Sequence, residues 1–253
     1  MKLLKFTLWI LLFSLASITN LFSQESLFSF EKYTNEKGEI LNYRQLVSDY
    51  DEVSKYPLVI FLHGSGERGN DNVAQLKWGV QNFATSQNLK MYRPIVIAPQ
   101  CPENSSWENF SEDGLLMEST PSEPMKLVIE LIKKTIKELP VDPNRIYITG
   151  VSMGGFGTFD AIMRYPNLFA AAVPVCGGGD ISKAAEISHI PMWIFHGALD
   201  EAVNPKRSLD MVQALTKEGG RPGFTQYPKA GHFSWIAAYS DEMMMQWLFS
   251  QRK

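Results

Sequence analysis

The stretch Arg145-Ile146-Tyr147-Ile148-Thr149-Gly150-Val151-Ser152-Met153-Gly154-Gly155 runs from a strand-like apolar pattern through G-x-S-x-G into the start of a helical one. A serine hydroxyl is a poor nucleophile unless it projects from a strained turn toward a base, and flanking glycines let the chain turn there without side-chain clashes. Ser152 occupies that position. Gly and Ser are common, so the five residues alone say little; the strand before them and the helix after them make the pattern specific. The competing reading is a Gly-rich turn in which Ser152 only caps the helix.

Working outward, apolar runs recur at 58–62, 94–98, 146–149, 170–175 and 191–195, separated by segments long enough for helices. Continuous rather than alternating hydrophobicity marks strands buried on both faces, the pattern of a parallel sheet covered by helices. Residues 27–33 and 40–47 instead alternate and are joined by Asn35-Glu36-Lys37-Gly38, which predicts an antiparallel hairpin before the sheet. Helices are predicted at 123–139, 154–165, 206–218 and 233–250, the first with Leu127, Val128, Leu131, Ile132 and Ile136 on one side and Lys133, Lys134 and Lys137 opposite. Residues 101–121 lack a period and read as a long loop. The expected class is therefore α/β: a mostly parallel central sheet, an N-terminal antiparallel hairpin and helices on both faces, in one domain over 24–253.

A nucleophilic serine needs a base, and the chain offers His63, His189, His196 and His232. His63 lies in a glycine-rich loop, His189 precedes a strand at the wrong end of the sheet, and His196 sits within a strand-end run. His232 follows the last strand-like stretch, 223–227, and precedes the final helix, where a base belongs. The orienting acid should follow the preceding strand, and Gly197-Ala198-Leu199-Asp200 supplies Asp200, with Asp180 and Glu201 as the alternative acids. Any one of these residues alone would read as structural. Together Ser152, Asp200 and His232 form a constellation in the chain order of a nucleophile-elbow enzyme.

From about Ser26 onward the chain resembles the α/β-hydrolase superfamily, and within it compact secreted esterases akin to dienelactone hydrolases, feruloyl and acetyl-xylan esterases and the catalytic domain of prolyl oligopeptidases. The residues that carry the resemblance are His63-Gly64-Ser65-Gly66, Gly150-Val151-Ser152-Met153-Gly154-Gly155, Phe195-His196-Gly197-Ala198-Leu199-Asp200 and Ala230-Gly231-His232. It implies an oxyanion hole formed by the N–H groups of Ser65 and Met153. Gly64, Gly66 and Gly69 also spell the G-x-G-x-x-G of a dinucleotide loop, but Asn70-Asp71-Asn72 follows instead of a helix and the next strand ends in Pro99-Gln100-Cys101 without the required acid. The superfamily's strand order sets Cys101 and Cys176 three strands apart, about 14 Å at ~4.8 Å per step, so two free thiols are expected.

The chain has 253 residues with 45% hydrophobic and 20% charged side chains and a formal charge of -3, which leaves no basic footprint for nucleic acid. Lys2 and Lys5 precede a thirteen-residue apolar core, Phe6 to Ile18, and Ser23 offers a small residue for cleavage. This predicts a Sec signal peptide over 1–23, a secreted or periplasmic location and no stable membrane insertion after its removal. No H-E-x-x-H or paired-Cys spacing calls for metal, and the chemistry needs no cofactor. Beside the catalytic residues, Trp107, Trp235, Glu67 and Arg68 are candidate substrate contacts. Each tryptophan either stacks on a sugar or aryl ring or packs its loop onto the body, and Glu67 and Arg68 either bind a polar substrate or form structural ion pairs. The expected function is an exported serine hydrolase of small-molecule or carbohydrate-linked carboxylic esters, feruloyl and acetyl esters among them. The alternatives are a prolyl-oligopeptidase-type peptidase, for whose propeller the chain has no room, and a non-catalytic binding protein of the same fold.

Overall fold

The structure is a computed structural model that describes residues 24–253 apart from positions 48, 49, 52, 113 and 115. The predicted signal peptide lies outside the described residues. Among those described, no helix is long and apolar enough to cross a membrane. Eight strands form one sheet: β1 (Phe28–Thr34), β2 (Ile40–Val47), β3 (Tyr56–Leu62), β4 (Ile95–Pro99), β5 (Val141–Val151), β6 (Ala171–Val175), β7 (Trp193–Gly197) and β8 (Gly223–Tyr227). Their spatial order is β1-β2-β4-β3-β5-β6-β7-β8. The pairings β1 with β2 and β2 with β4 are antiparallel, and all others are parallel. This is the predicted hairpin fused to a parallel sheet. Its tight turn is closed by Asn35, whose Oδ1 accepts from the N–H groups of Lys37 and Glu39, and by Gly38 at φ 81°.

Successive side chains of a strand point to opposite faces, so a strand buried on both sides must be apolar throughout. All of β3 is buried, and it divides Leu58, Ile60 and Leu62 from Val59 and Phe61. The first set meets α2 (Glu123–Glu138), α3 (Met153–Arg164) and α5 (Lys206–Lys217); the second meets Val80 and Phe83, α6 (Trp235–Tyr239) and α7 (Glu242–Ser250). Each such Leu, Ile or Phe contributes about 1.5–3 kcal/mol on burial. Two short helices, α1 (Ser86–Tyr92) and α4 (Ala184–Ile187), complete the set and carry too little apolar periodicity to be expected from sequence.

One expected helix differs. Residues 233–250 form not one helix but a 3-10 turn over His232–Ser234 followed by α6 and α7. The break falls where Asp241 takes extended angles and its Oδ1 accepts from the N–H groups of Met243 and Met244, capping α7. Asn82 donates to the Tyr239 carbonyl at 2.6 Å, replacing the helical bond that the break removes. Both cysteines are free and buried, as the three-strand separation of β4 and β6 requires.

Candidate active site

Ser152 sits between β5 and α3 at φ 54° and ψ -117°, a conformation that costs a non-glycine residue about 1–3 kcal/mol. The packing around it enforces the turn. Its N–H donates to the Val175 carbonyl at 2.9 Å, and its own carbonyl accepts from the N–H groups of Gly155 (2.7 Å) and Phe156 (3.1 Å). A Cβ on Gly154 would collide with the Leu62 and His63 carbonyls, and one on Gly155 would lie 2.5 Å from the Val175 carbonyl. Glycine at 154 and 155 thus lets α3 press onto the ends of β3 and β6.

The loops after β7 and β8 are similarly fused. Leu199 N–H donates to the Ala230 carbonyl at 2.9 Å, and only glycine at 197 leaves room for the Gly231 and Ala230 carbonyls. That contact brings Asp200 and His232 together. His232 Nδ1 lies 2.7 Å from Asp200 Oδ2, and His232 Nε2 lies 2.9 Å from Ser152 Oγ. Asp200 Oδ1 accepts from the N–H groups of Ala202 and Val203, both at 2.9 Å. The carboxylate is buried, whereas the imidazole keeps 22% of its side-chain surface open to solvent. Cys176 Sγ donates to the His232 carbonyl at 3.3 Å and touches Ser234 Oγ at 2.8 Å, fixing the base's loop from below. Burial pushes this thiol up to about 12, which makes it a packing group rather than a nucleophile.

The alternative acids are elsewhere. Asp180 accepts from the N–H groups of Met117 and Ser182, and Glu201 is exposed. Ser65 opens a 3-10 turn, Ser65–Glu67, directly after β3, and Met153 is the first residue of α3. β3 and β5 are parallel neighbours with Leu62 paired to Gly150, so both N–H groups stand at the same sheet rim. The first N–H of a helix has no carbonyl one turn earlier, which leaves that of Met153 free to bind an anion. No α-helix follows Gly69, whose loop is instead tied down by Gln100: its amide donates to Asp71 and to the Glu67 carbonyl and its Oε1 accepts from Asn72 N–H.

The candidate substrate contacts divide. Trp107 is fully buried, its Nε1 donates to the His63 carbonyl at 3.0 Å, and its ring packs edge-on against His63. It is corrected to a residue that pins the 101–121 loop to the body, helped by Ser122 Oγ donating to its carbonyl at 2.6 Å. Arg164 and Asp160 anchor the same loop through a buried two-pronged pair that also receives Asn109 N–H. Glu67 is buried too; burial raises its carboxyl above the ordinary range, and it accepts from the Trp78 side chain. Arg68 is half-buried beside Cys101. Trp235 meets His232 edge-on at 5.0 Å and has little exposed surface. The exposed aromatic at the site is one the sequence did not single out: Phe233, 57% exposed, packed against Trp235 and Trp78.

His63 ties the loops after β3 and β4. Its Nδ1–H donates to the Gly64 carbonyl at 2.6 Å, and its Nε2 accepts from Cys101 N–H at 2.9 Å. Protonating Nε2 would set one N–H against another, and burial pushes the imidazole down to about 4. A histidine that binds its proton less well when folded loses stability for the fold as pH falls from its unfolded value near 6.5 toward about 4. Urea melts should show wild type losing up to about 3 kcal/mol more over that window than His63→Gln. Parallel slopes for the two proteins would refute it.

Comparison with known proteins agrees with this architecture. A bifunctional acetylxylan esterase/xylanase of Neocallimastix patriciarum is 27% identical over 150 residues, 58% of this chain and 20% of that protein. Acetylxylan esterase A of Emericella nidulans is 26% identical over 145 residues, 56% of this chain and 47% of its own. The chain thus spans less than half the length of these two relatives. A crystal structure of a thermostable esterase superposes with a TM-score of 0.85 at 40% identity, covering 90% of this chain and 64% of that one. The sequence profile that describes phospholipases and carboxylesterases matches residues 44–246, four-fifths of the chain. An α/β-hydrolase by fold, this chain belongs to the phospholipase/carboxylesterase family.

Proposed function

We propose that the protein is an exported serine hydrolase that cleaves carboxylic esters through an acyl-enzyme. The observation that carries this is the unbroken line Ser152 Oγ, His232 Nε2, His232 Nδ1, Asp200 Oδ2, with contacts of 2.9 and 2.7 Å, at the tip of a strained elbow. His232 takes the proton of Ser152 as the oxygen attacks the ester carbonyl. Asp200 holds the ring so that Nε2 faces the nucleophile and then stabilises the imidazolium. The N–H groups of Ser65 and Met153 receive the tetrahedral oxyanion, each worth about 10²- to 10³-fold in turnover. His232 then returns its proton to the departing alcohol, and water, activated by the same imidazole, releases the acid.

Polysaccharide-linked feruloyl or acetyl esters are the substrate class. The acetylxylan esterase relatives support a carbohydrate alcohol, and the exposed Phe233, backed by Trp78 and Trp235, offers an apolar wall beside His232 for an aryl acyl group. The apolar run that predicts a signal peptide supports export.

A fluorophosphonate should label the protein once, on the peptide bearing Ser152, and acetyl, butyryl and feruloyl esters should be turned over where peptide amides are not. Labelling confined to another residue would overturn the proposal. Faster turnover of feruloyl than of acetyl esters is the expected order; the reverse would remove Phe233 from the acyl site.

A further inference from the structure

Asp200 has a second histidine. His196, fully buried at the end of β7, places Nε2 3.0 Å from the Val203 carbonyl and 3.2 Å from Asp200 Oδ2, the same oxygen that meets His232. Both oxygens only accept, so Nε2 carries a proton that they share, the carbonyl being the nearer. On the other side of the ring, Nδ1 lies 2.7 Å from Ser208 Oγ, which lies 2.9 Å from the Gly177 carbonyl. A neutral ring with its proton on Nε2 needs the single Ser208 hydroxyl proton at Nδ1, for which the Gly177 carbonyl competes as acceptor. The triad mechanism does not employ His196.

We propose that His196 is a positioning residue of the hydrolytic reaction: its Nε2–H bridges Asp200 and Val203, and Ser208 holds its tautomer, so that Asp200 stays aimed at His232. With the N–H groups of Ala202 and Val203 and with His232, this places four donors around one buried carboxylate. Val203 is gripped twice, donating its N–H to Asp200 and offering its carbonyl to His196. The turn carrying the acid is thereby a closed ring rather than a hinge. The titratable groups facing His196 are Asp200 on that turn, His232 from the loop after β8, and Cys176 from the end of β6, whose Sγ lies within 4.8 Å of the nearest atoms of His196 and Asp200. Burial lowers the His196 imidazole below its ordinary value and raises the Cys176 thiol, so both stand neutral at pH 7. A neutral donor orients the carboxylate without cancelling the charge that His232 needs when it becomes an imidazolium.

The inference rests on the triad reading, and its test separates the two. His196→Phe should lower kcat by about 10- to 100-fold with KM within about 3-fold, the penalty of a displaced catalytic group. With one donor fewer, the carboxylate binds the imidazolium of His232 more strongly, so the acid limb of kcat/KM should move up by about 0.5 to 1 pH unit. His196→Gln, whose side-chain N–H reaches the position of Nε2, should restore most of the rate and return the limb. Equal impairment of both variants with an unmoved limb would reduce His196 to a packing residue. So would wild-type kinetics in His196→Phe. Should that variant not fold, nitrogen NMR of the wild type at pH 7 decides: a proton on Nε2 and a bare Nδ1 are expected, and the opposite tautomer overturns the assignment. Fluorophosphonate labelling of the same wild-type sample independently reads Ser152, so failure of the hydrolase reading and failure of this one give different results.

Discussion

Ser152→Ala is expected to lower kcat toward an aryl ester by about 10⁴- to 10⁶-fold, the span seen when the nucleophile of a triad is removed and only oxyanion stabilisation remains. The effect should be confined to chemistry. Alanine keeps the backbone at φ 54°, and the hydroxyl it removes is the one that sits 2.9 Å from His232. Thermal stability should therefore hardly move, and fluorophosphonate labelling should vanish. Ser152→Gly should be equally inactive yet more stable than the alanine variant by about 1 kcal/mol, because glycine adopts positive φ without steric penalty. An alanine variant that retains a tenth of wild-type turnover would end the acyl-enzyme proposal. A glycine variant less stable than alanine would deny that the elbow stores strain.

Gly154→Ala should be the most damaging single-methyl change in the protein. Its Cβ would overlap the Leu62 carbonyl and crowd that of His63, both backbone atoms at a buried strand end. No rotamer change relieves such an overlap; α3 would have to move off the sheet. A destabilisation above about 4 kcal/mol is expected, which in a domain of this size lowers Tm by about 10 °C or more. Gly66→Ala is the control, since a Cβ there meets nothing within 4 Å, and its Tm should match wild type. A folded Gly154→Ala protein with a Tm near wild type would mean that the sheet and α3 are not locked together.

What the sequence reveals of this molecule follows from how locally each feature is encoded. The parallel strands are legible because burial on both faces demands uninterrupted apolar runs, and β3 and β6 fall where those runs fall. The positions of Ser152, Asp200 and His232 are legible because each occupies a loop at the same end of its strand. His196 is not, because its contacts with Asp200 and Ser208 depend on how the turn after β7 folds back, and a histidine inside an apolar strand end gives no sign of its partners. Trp107 misleads for the mirror reason: an irregular loop with an aromatic residue reads as surface, whereas this one is sealed by Asp160, Arg164 and Ser122. The break at Asp241 is hidden because the apolar period continues across it while a side-chain cap and Asn82 end the backbone ladder.

His232 stands in the loop that follows the last, edge strand of the sheet, and that loop is held by Cys176 after β6 and Leu199 after β7, contacts that exist only once the C-terminal segments have docked. During synthesis, Ser152 and Asp200 emerge from the ribosome before His232, the residue that joins them. On the proposed mechanism, a nascent chain is therefore chemically silent toward esters until the final strand has found its place.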